Sequence, residues 1–209
     1  MKILRTILAL GWLFITAVHL QAAIHYVDAG SANPVSPYLS WSTAAGTIQD
    51  AVDAASQDDE VLVTNGVYAT GGRAIFGTLT NRVAIYKPLT LRSLNGPEFT
   101  IIQGRQVPGT VIGDGAIRCV YLTSGANLFG FTLTNGATRN TGDFFDLDGD
   151  GGGFLALWDS PIIVSNCVIA GNSAASQGGG AYTTGGKIIR CTFSGNSALR
   201  VTRFVARTI

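Results

Sequence analysis

A duplicated eight-residue segment near the end of the chain limits the folds that this sequence can adopt. Residues 167–174 read CVIAGNSA and residues 191–198 read CTFSGNSA, so the copies align without gaps at an offset of 24 residues. The glycine triplet 151–153 recurs at 178–180, at an offset of 27. Residues 131–137 (FTLTNGA) form a more degenerate copy at an offset of 36. A period in this range without helical periodicity is typical of one coil of a repeat protein.

The segments between these copies have the composition of short strands. From Val61 onward, β-branched runs alternate with turns of Gly, Asn or Ser. Parallel strands of successive coils stack at about 4.8 Å, so equivalent positions should lie directly above one another. This register places Cys167 over Cys191, Ile169 over Phe193 and Asn172 over Asn196. We therefore predict an all-β, single-stranded right-handed parallel β-helix (a solenoid) whose coils span residues 61–198.

The start of the chain has the pattern of a secretory leader. Lys2 and Arg5 precede an apolar stretch too short to cross a bilayer comfortably, and Ala22 and Ala23 offer small residues for cleavage. We assign residues 1–23 to this leader, with an uncleaved anchor as the alternative. No later segment has the apolar length of a membrane span. The protein is therefore expected to be secreted or exposed at the cell surface.

Residues 24–60 are predicted to precede the coils as a strand, a loop and a capping helix. Thr47 can cap a helix whose apolar side carries Ile48, Ala51, Val52 and Ala55. An open end of a strand stack can pair with other chains, and a helix in this position can cover it.

The opposite end departs from the repeat. Residues 199–209 contain three Arg and no Gly, and they do not repeat the pattern of the coils. We hypothesise that the solenoid is C-terminally incomplete, as part of a longer protein.

The charge balance disfavours one class of partner. Charged residues make up 13% of the chain, and the leader contains two of the 14 basic residues, which leaves 12 against 13 acidic ones. A nearly neutral chain without a basic stripe is not expected to bind nucleic acid.

The three cysteines have two structural interpretations. An odd number in an exported chain leaves at least one unpaired. Stacked Cys167 and Cys191 would point the same way, which favours small buried apolar side chains over a disulfide, although the expected spacing permits one.

Several segments resemble known families. Residues 48–68 (IQDAVDAASQDDEVLVTNGVY) resemble the N-terminal segment of pectate-lyase-like β-helix proteins. Residues 178–181 (GGGA) and 193–196 (FSGN) resemble the GGA and FxxN tetrapeptides of polymorphic outer-membrane-protein repeats. The resemblance covers residues 25–198 and implies an exported β-helix repeat protein.

The candidate metal ligands lie in an acidic insertion, residues 142–151. Asp146, Asp148 and Asp150, followed by Gly151, match the first half of a calcium loop, in which alternate oxygen ligands suit Ca²⁺. Leu157 stands where the loop would need a bidentate Glu. Ca²⁺ is thus the one cofactor that the sequence suggests, and a solvated acidic loop is the alternative.

Other catalytic patterns are sparse. His25, the one histidine after the leader, reads as an ordinary strand residue and leaves no serine–histidine relay or histidine-rich metal site. Arg118 and Arg190 each precede a cysteine, so they could share a face and act as the base of a polysaccharide lyase, although solvent-facing strand residues are the alternative. Trp158 and Tyr182 could serve as platforms for sugar rings or pack as ordinary aromatic residues.

The sequence therefore favours a structural, adhesive or glycan-binding role outside the cell, with a carbohydrate or a cell-surface component as partner. The alternative is a pectin-lyase-like carbohydrate-active enzyme, either a polysaccharide lyase or a glycoside hydrolase. No catalytic residue is assigned.

Overall fold

The β-rich runs of the sequence form short strands that stack as parallel coils. A computed structural model describes residues 22–140, 147–157 and 161–199. Within them lie one α-helix, α1 (Ile48–Ala54), and two short 3-10 segments, Trp41–Thr43 and Leu147–Gly149. The strands are β1 Ile24–Val27, β2 Glu60–Val63, β3 Gly66–Tyr68, β4 Arg73–Ala74, β5 Thr80–Ile85, β6 Thr90–Ser93, β7 Thr100–Gln103, β8 Ile117–Leu122, β9 Asn127–Phe129, β10 Thr132–Thr134, β11 Phe154–Ala156, β12 Ile163–Ser165, β13 Val168–Ala170, β14 Ser173–Ala174, β15 Ala181–Thr183, β16 Lys187–Ile189, β17 Thr192–Ser194 and β18 Ser197–Ala198.

The strands of successive coils stack into three sheets. Sheet 1 has the order β1-β2-β6-β9-β12-β16, sheet 2 β3-β7-β10-β13-β17 and sheet 3 β4-β5-β8-β11-β15. The strand pairs are parallel except β4–β5, and β14 and β18 form a short additional pair. The fold is a parallel β-solenoid of about four turns, which confirms the predicted all-β architecture with its short helix near the N terminus.

The register follows the duplicated segment. Val168 pairs with Thr192 and Ile169 with Phe193, as the 24-residue offset predicts. Thr132 pairs with Val168, at the offset of 36. The backbone N–H of Gly152 donates to the carbonyl of Gly178 at 3.2 Å, so the glycine triplets also stack. The acidic insertion lies between β10 and β11, where it lengthens that coil.

The interior is a set of apolar ladders that run along the solenoid axis. In sheet 1, Val61, Leu91, Leu128 and Val164 are stacked in register and fully buried. Equivalent ladders from sheets 2 and 3 complete the same cluster. A single coil cannot bury such a face by itself, so the core is stabilised by the stacking of neighbours.

Helix α1 lies against the N-terminal end of the coils. The Thr47 hydroxyl accepts from the backbone N–H of Asp50 at 3.2 Å, which is the predicted N-cap. The side-chain amide of Gln49 bonds to the backbone of β5 as a neighbouring strand would. Its Nε2 donates to the Ala84 carbonyl at 3.4 Å, and its Oε1 accepts from the Ala84 N–H at 2.7 Å. The helix therefore satisfies part of the edge of β5 as well as covering apolar residues.

The last described coil is more open than the others. Ile188 pairs with buried Val164 and Phe193 with buried Ile169, yet Ile188 is 39% and Phe193 is 45% exposed. Residues 1–21 of the predicted leader and residues 200–209 of the tail lie outside the described residues. In the part of the chain that the structure describes, no helix is both long and apolar enough to span a bilayer.

Candidate functional site

The predicted calcium ligands Asp148 and Asp150 anchor the acidic insertion to neighbouring coils. The Asp148 Oδ2 accepts from the backbone N–H groups of Thr78 at 2.9 Å and Leu79 at 3.2 Å. The Asp150 Oδ1 accepts from the N–H of Gln177 at 3.0 Å. Both aspartates are buried, and each binds a different coil. Their carboxylates therefore hold the described part of the insertion, residues 147–151, in place.

The calcium interpretation stays a prediction. Asp146, the first of the three candidate calcium ligands, lies outside the described residues. Among residues 22–140, 147–157 and 161–199, no three His, Cys, Asp or Glu side chains are grouped as metal ligands would be. A carboxylate oxygen that accepts two backbone N–H groups has fewer lone pairs for a cation. The described geometry thus favours the anchoring role of Asp148.

Arg118 is a buried structural cation beneath this insertion. Its Nε donates to the Gly151 carbonyl at 2.9 Å, its Nη1 to Asn81 Oδ1 at 2.7 Å and its Nη2 to the Leu147 carbonyl at 2.5 Å. The planar guanidinium fork can satisfy several carbonyls at once, which a lysine cannot do. Sequence reasoning missed this role, because the partners lie about thirty residues away in the chain.

The suggestion that Arg118 and Arg190 share a face is wrong. Arg118 lies in β8 of sheet 3, whereas Arg190 follows β16 of sheet 1, at the corner that leads to sheet 2. Arg190 has a φ of 52°, and Asn166, one coil earlier, has the same φ. Arg190 is thus a corner residue, and the two arginines do not converge on a common groove.

Tyr182, one of the two predicted sugar platforms, lies on the outer face of sheet 3. Its β15 position stacks on Leu155, which stacks on Tyr121. These side chains form a small apolar cluster, and Phe76 meets the Tyr121 ring edge-on at 5.7 Å. Tyr182 is half-buried there, so packing accounts for its position. Trp158 lies outside the described residues.

His25 is in a strand, as predicted, but it is not an ordinary strand residue. It is 3% exposed, and its Nε2 lies 3.0 Å from the Asp59 Oδ2, while its Nδ1 lies 2.6 Å from the Pro37 carbonyl oxygen. Burial raises the pKa of Asp59, but hydrogen bonds from His25 and from the backbone N–H groups of Ser56 and Ala23 lower it below the ordinary value overall. No sequence motif signals this pair.

The cysteines are free thiols. Cys167 is buried, and Cys191, stacked on it, is half-exposed. A hydrogen bond from the Cys167 thiol lowers the pKa of Cys191, and the same bond together with burial raises the pKa of Cys167. Cys119 is fully buried, which raises its pKa to about 12.

A polar concavity lies where sheet 1 turns into sheet 2, and we call it the corner groove. It has a volume of about 510 Å³. It crosses successive coils at the carboxyl ends of β6, β9 and β12. Its lining residues are Arg92, Ser93, Leu94, Asn95, Gly96, Phe129, Gly130 and Asn166.

The corner groove exists because one corner is longer than its neighbours. Six residues, 94–99, connect β6 to β7, whereas residues 130–131 and 166–167 suffice in the next two coils. The short corners turn sharply through Gly130 at a φ of 80° and Asn166 at a φ of 52°. The long corner therefore protrudes and forms one side of the groove. Its Leu94 and Phe99 side chains are 44% and 52% exposed.

Side chains of different character meet in the groove. Phe129 is half-buried on the outer face of sheet 1, next to Arg92 in the register. Arg92 is held by Glu60, whose Oε1 lies 2.7 Å from its Nε and 2.6 Å from its Nη2. Asn95 donates to the Asn65 Oδ1 at 2.8 Å and is exposed, as is Asn166. The groove thus combines an aromatic ring with exposed amides.

No protein-family model matches this chain, and comparison with curated proteins and with solved structures finds no match either.

Proposed function

We propose that this protein is an exported β-helix repeat protein that binds a carbohydrate chain in the corner groove without transforming it. The proposal depends on one observation: the Phe129 ring lines the same groove as the exposed side-chain amides of Asn95 and Asn166. The duplicated segment, the GGGA and FSGN tetrapeptides and the leader support placing it with pectate-lyase-like and polymorphic outer-membrane-type repeat proteins.

The chemistry of the groove suits a sugar chain. An aromatic face packs against the apolar C–H side of a sugar ring, and amides donate to and accept from its hydroxyl groups. The volume of about 510 Å³ lies within the usual range for small-molecule sites. The groove is open and crosses several coils, which fits a segment of a polymer.

The charge of the groove favours a neutral glycan. Among the described residues that line it, Arg92 carries the charge, and its guanidinium is already paired with Glu60. An ion pair that is satisfied within the protein gives a uronate little additional stabilisation. We therefore expect neutral oligosaccharides to bind more tightly than uronate-containing ones of the same length.

The test is isothermal titration of the mature protein with neutral and uronate-containing oligosaccharides. Phe129→Ala should weaken binding about ten-fold, as the loss of one stacking contact worth about 1.4 kcal/mol implies. Phe76→Ala, which removes an exposed aromatic residue of the loop between β4 and β5 that packs against sheet 3, is the matched control and should leave the affinity unchanged. Equal losses in both variants would reject the corner groove as the site.

The same samples separate binding from catalysis. A polysaccharide lyase would release unsaturated products, and a glycoside hydrolase would release reducing ends. We expect neither to accumulate over the spontaneous rate. Products that depend on this protein would replace the binding proposal by an enzymatic one.

A further inference from the structure

Within residues 22–140, the N-terminal part of the chain that the structure describes, Ala23 is the first residue that hydrogen bonds fix to the solenoid. Its backbone N–H donates to the Asp59 Oδ1 at 2.7 Å, and its carbonyl accepts from the N–H of Glu60 at 2.9 Å. Ala22, immediately before it, is exposed. In the described chain, the hydrogen-bonded part of the solenoid thus begins directly after the exposed Ala22.

The acceptor of this N–H is an unusually well-placed carboxylate. Asp59 is 6% exposed, and its other oxygen, Oδ2, accepts from the Ser56 N–H at 2.6 Å and faces the His25 Nε2 at 3.0 Å. The opposite nitrogen of the His25 ring is held by the Pro37 carbonyl. The carboxylate is therefore fixed in position from several sides, with Oδ1 directed at the Ala23 nitrogen.

We propose that the exported chain is cleaved between Ala22 and Ala23, one residue before the end of the leader assigned from the sequence, and that the α-ammonium group released at Ala23 docks on the Asp59 carboxylate. This inference rests on the proposed export. A signal peptidase of the secretory pathway would catalyse the hydrolysis. The C–N bond between the alanines breaks, and water gives its hydroxyl to the Ala22 carbonyl carbon and its proton to the Ala23 nitrogen. The new carboxylic acid of Ala22 then ionises to a carboxylate, and the α-amino group takes up a second proton to become the ammonium. Ala22 then supplies the small residue that such enzymes require before the cut.

The new terminus needs no rearrangement to bind. The same nitrogen already lies 2.7 Å from Oδ1. An α-amino group is protonated below its pKa of about 7.7 to 8.0, and a hydrogen bond between charged partners is stronger than one from a neutral amide. Cleavage one residue later, after Ala23, would instead remove both hydrogen bonds of Ala23.

The cleavage position is tested on the full chain. It is produced with its leader in a bacterial host, and the extracytoplasmic fraction is analysed by intact mass and N-terminal sequencing. We expect a chain that begins at Ala23. A chain that begins at Ile24 or elsewhere would overturn the inference while leaving export intact. Full-length protein retained in the cytoplasm would overturn the proposed export itself, and with it the inference.

The docking is tested on the mature chain with and without one glycine added before Ala23. The extension moves the ammonium away from Asp59 while it keeps the N–H of Ala23, and it should lower the Tm by roughly 2 to 4 °C. In the Asp59→Asn variant the added glycine should not change the Tm. In the control variant Asp58→Asn, which alters the exposed neighbouring aspartate, it should lower the Tm by as much as in the wild type. An extension without effect in the wild type, or with an equal effect in Asp59→Asn, would overturn the docking. If the Asp59→Asn variant fails to fold, the comparison of proteins with and without the added glycine, in the wild type and in Asp58→Asn, still tests the docking.

Discussion

The side chains of Asn172 and Asn196 lie one above the other, and the Nδ2 of Asn172 donates to the Oδ1 of Asn196 at 3.0 Å. Asn172 also donates to the Leu133 carbonyl at 3.0 Å and accepts from the Gly136 N–H at 2.8 Å. It is fully buried, so one amide links three coils at this corner of the solenoid.

Asn172→Ala should lower the free energy of unfolding by about 3 kcal/mol, because it leaves a buried N–H and a buried carbonyl without partners. Urea unfolding measures this loss. Asn196→Ala, at the half-buried equivalent position one coil later, is the control and should cost about 1 kcal/mol, since water can replace its hydrogen bonds. Equal losses of unfolding free energy in the two variants would contradict the conclusion that the hydrogen bonds of Asn172 are buried.

Asp148→Ala should destabilise the protein by about 2 kcal/mol in the presence of EDTA, because the N–H groups of Thr78 and Leu79 lose their acceptor. The measurement is thermal unfolding with EDTA and with Ca²⁺. A loss that is found only when Ca²⁺ is present would show that the carboxylate acts as a metal ligand. Asp114→Ala, at a largely exposed aspartate, is the control and should change stability little.

The Asp59–His25 pair should make stability depend on pH in the acidic range. The pKa of Asp59 is lower in the folded state than its ordinary value. Its contribution is therefore fully present above the ordinary pKa of about 3.9 and is lost as the pH falls through the folded-state pKa. Urea unfolding between about pH 2 and pH 6 should show this loss. The free energy of unfolding should change less steeply with pH in the Asp59→Asn variant than in the wild type. An unchanged slope would reject the linkage.

Thiol labelling should distinguish the cysteines. The pKa of Cys191 is lowered by the hydrogen bond from Cys167, and its side chain is half-exposed, so it should react first with a disulfide reagent at neutral pH. Cys119, with its pKa raised to about 12, should react only on unfolding. The Cys191→Ser variant identifies the fast phase. A fast phase that persists in this variant would contradict the assignment.

The register of the later coils could be predicted from sequence, because parallel strands pair at fixed positions and a sequence offset therefore equals a coil length. The offset of 24 between Cys167 and Cys191 predicted the pairing of β13 with β17 in this way. The earlier coils are 30 to 37 residues long in sheet 1, as the pairs Glu60–Thr90 and Thr90–Asn127 show. Insertions at their corners remove the periodicity, so no repeat is visible there.

The type of fold could be predicted from the amino-acid sequence alone, because short β-branched runs that end in turn residues can bury their apolar faces only by stacking. Which polar groups come together depends on the tertiary structure. From the sequence, Arg118 was a possible base or a solvent-facing strand residue and Asp148 a candidate calcium ligand; in the structure both side chains form hydrogen bonds with the backbone of neighbouring segments. The corner groove likewise depends on a long corner beside two short ones. These contacts join residues far apart in the chain, and their positions follow from how each coil lies on the next.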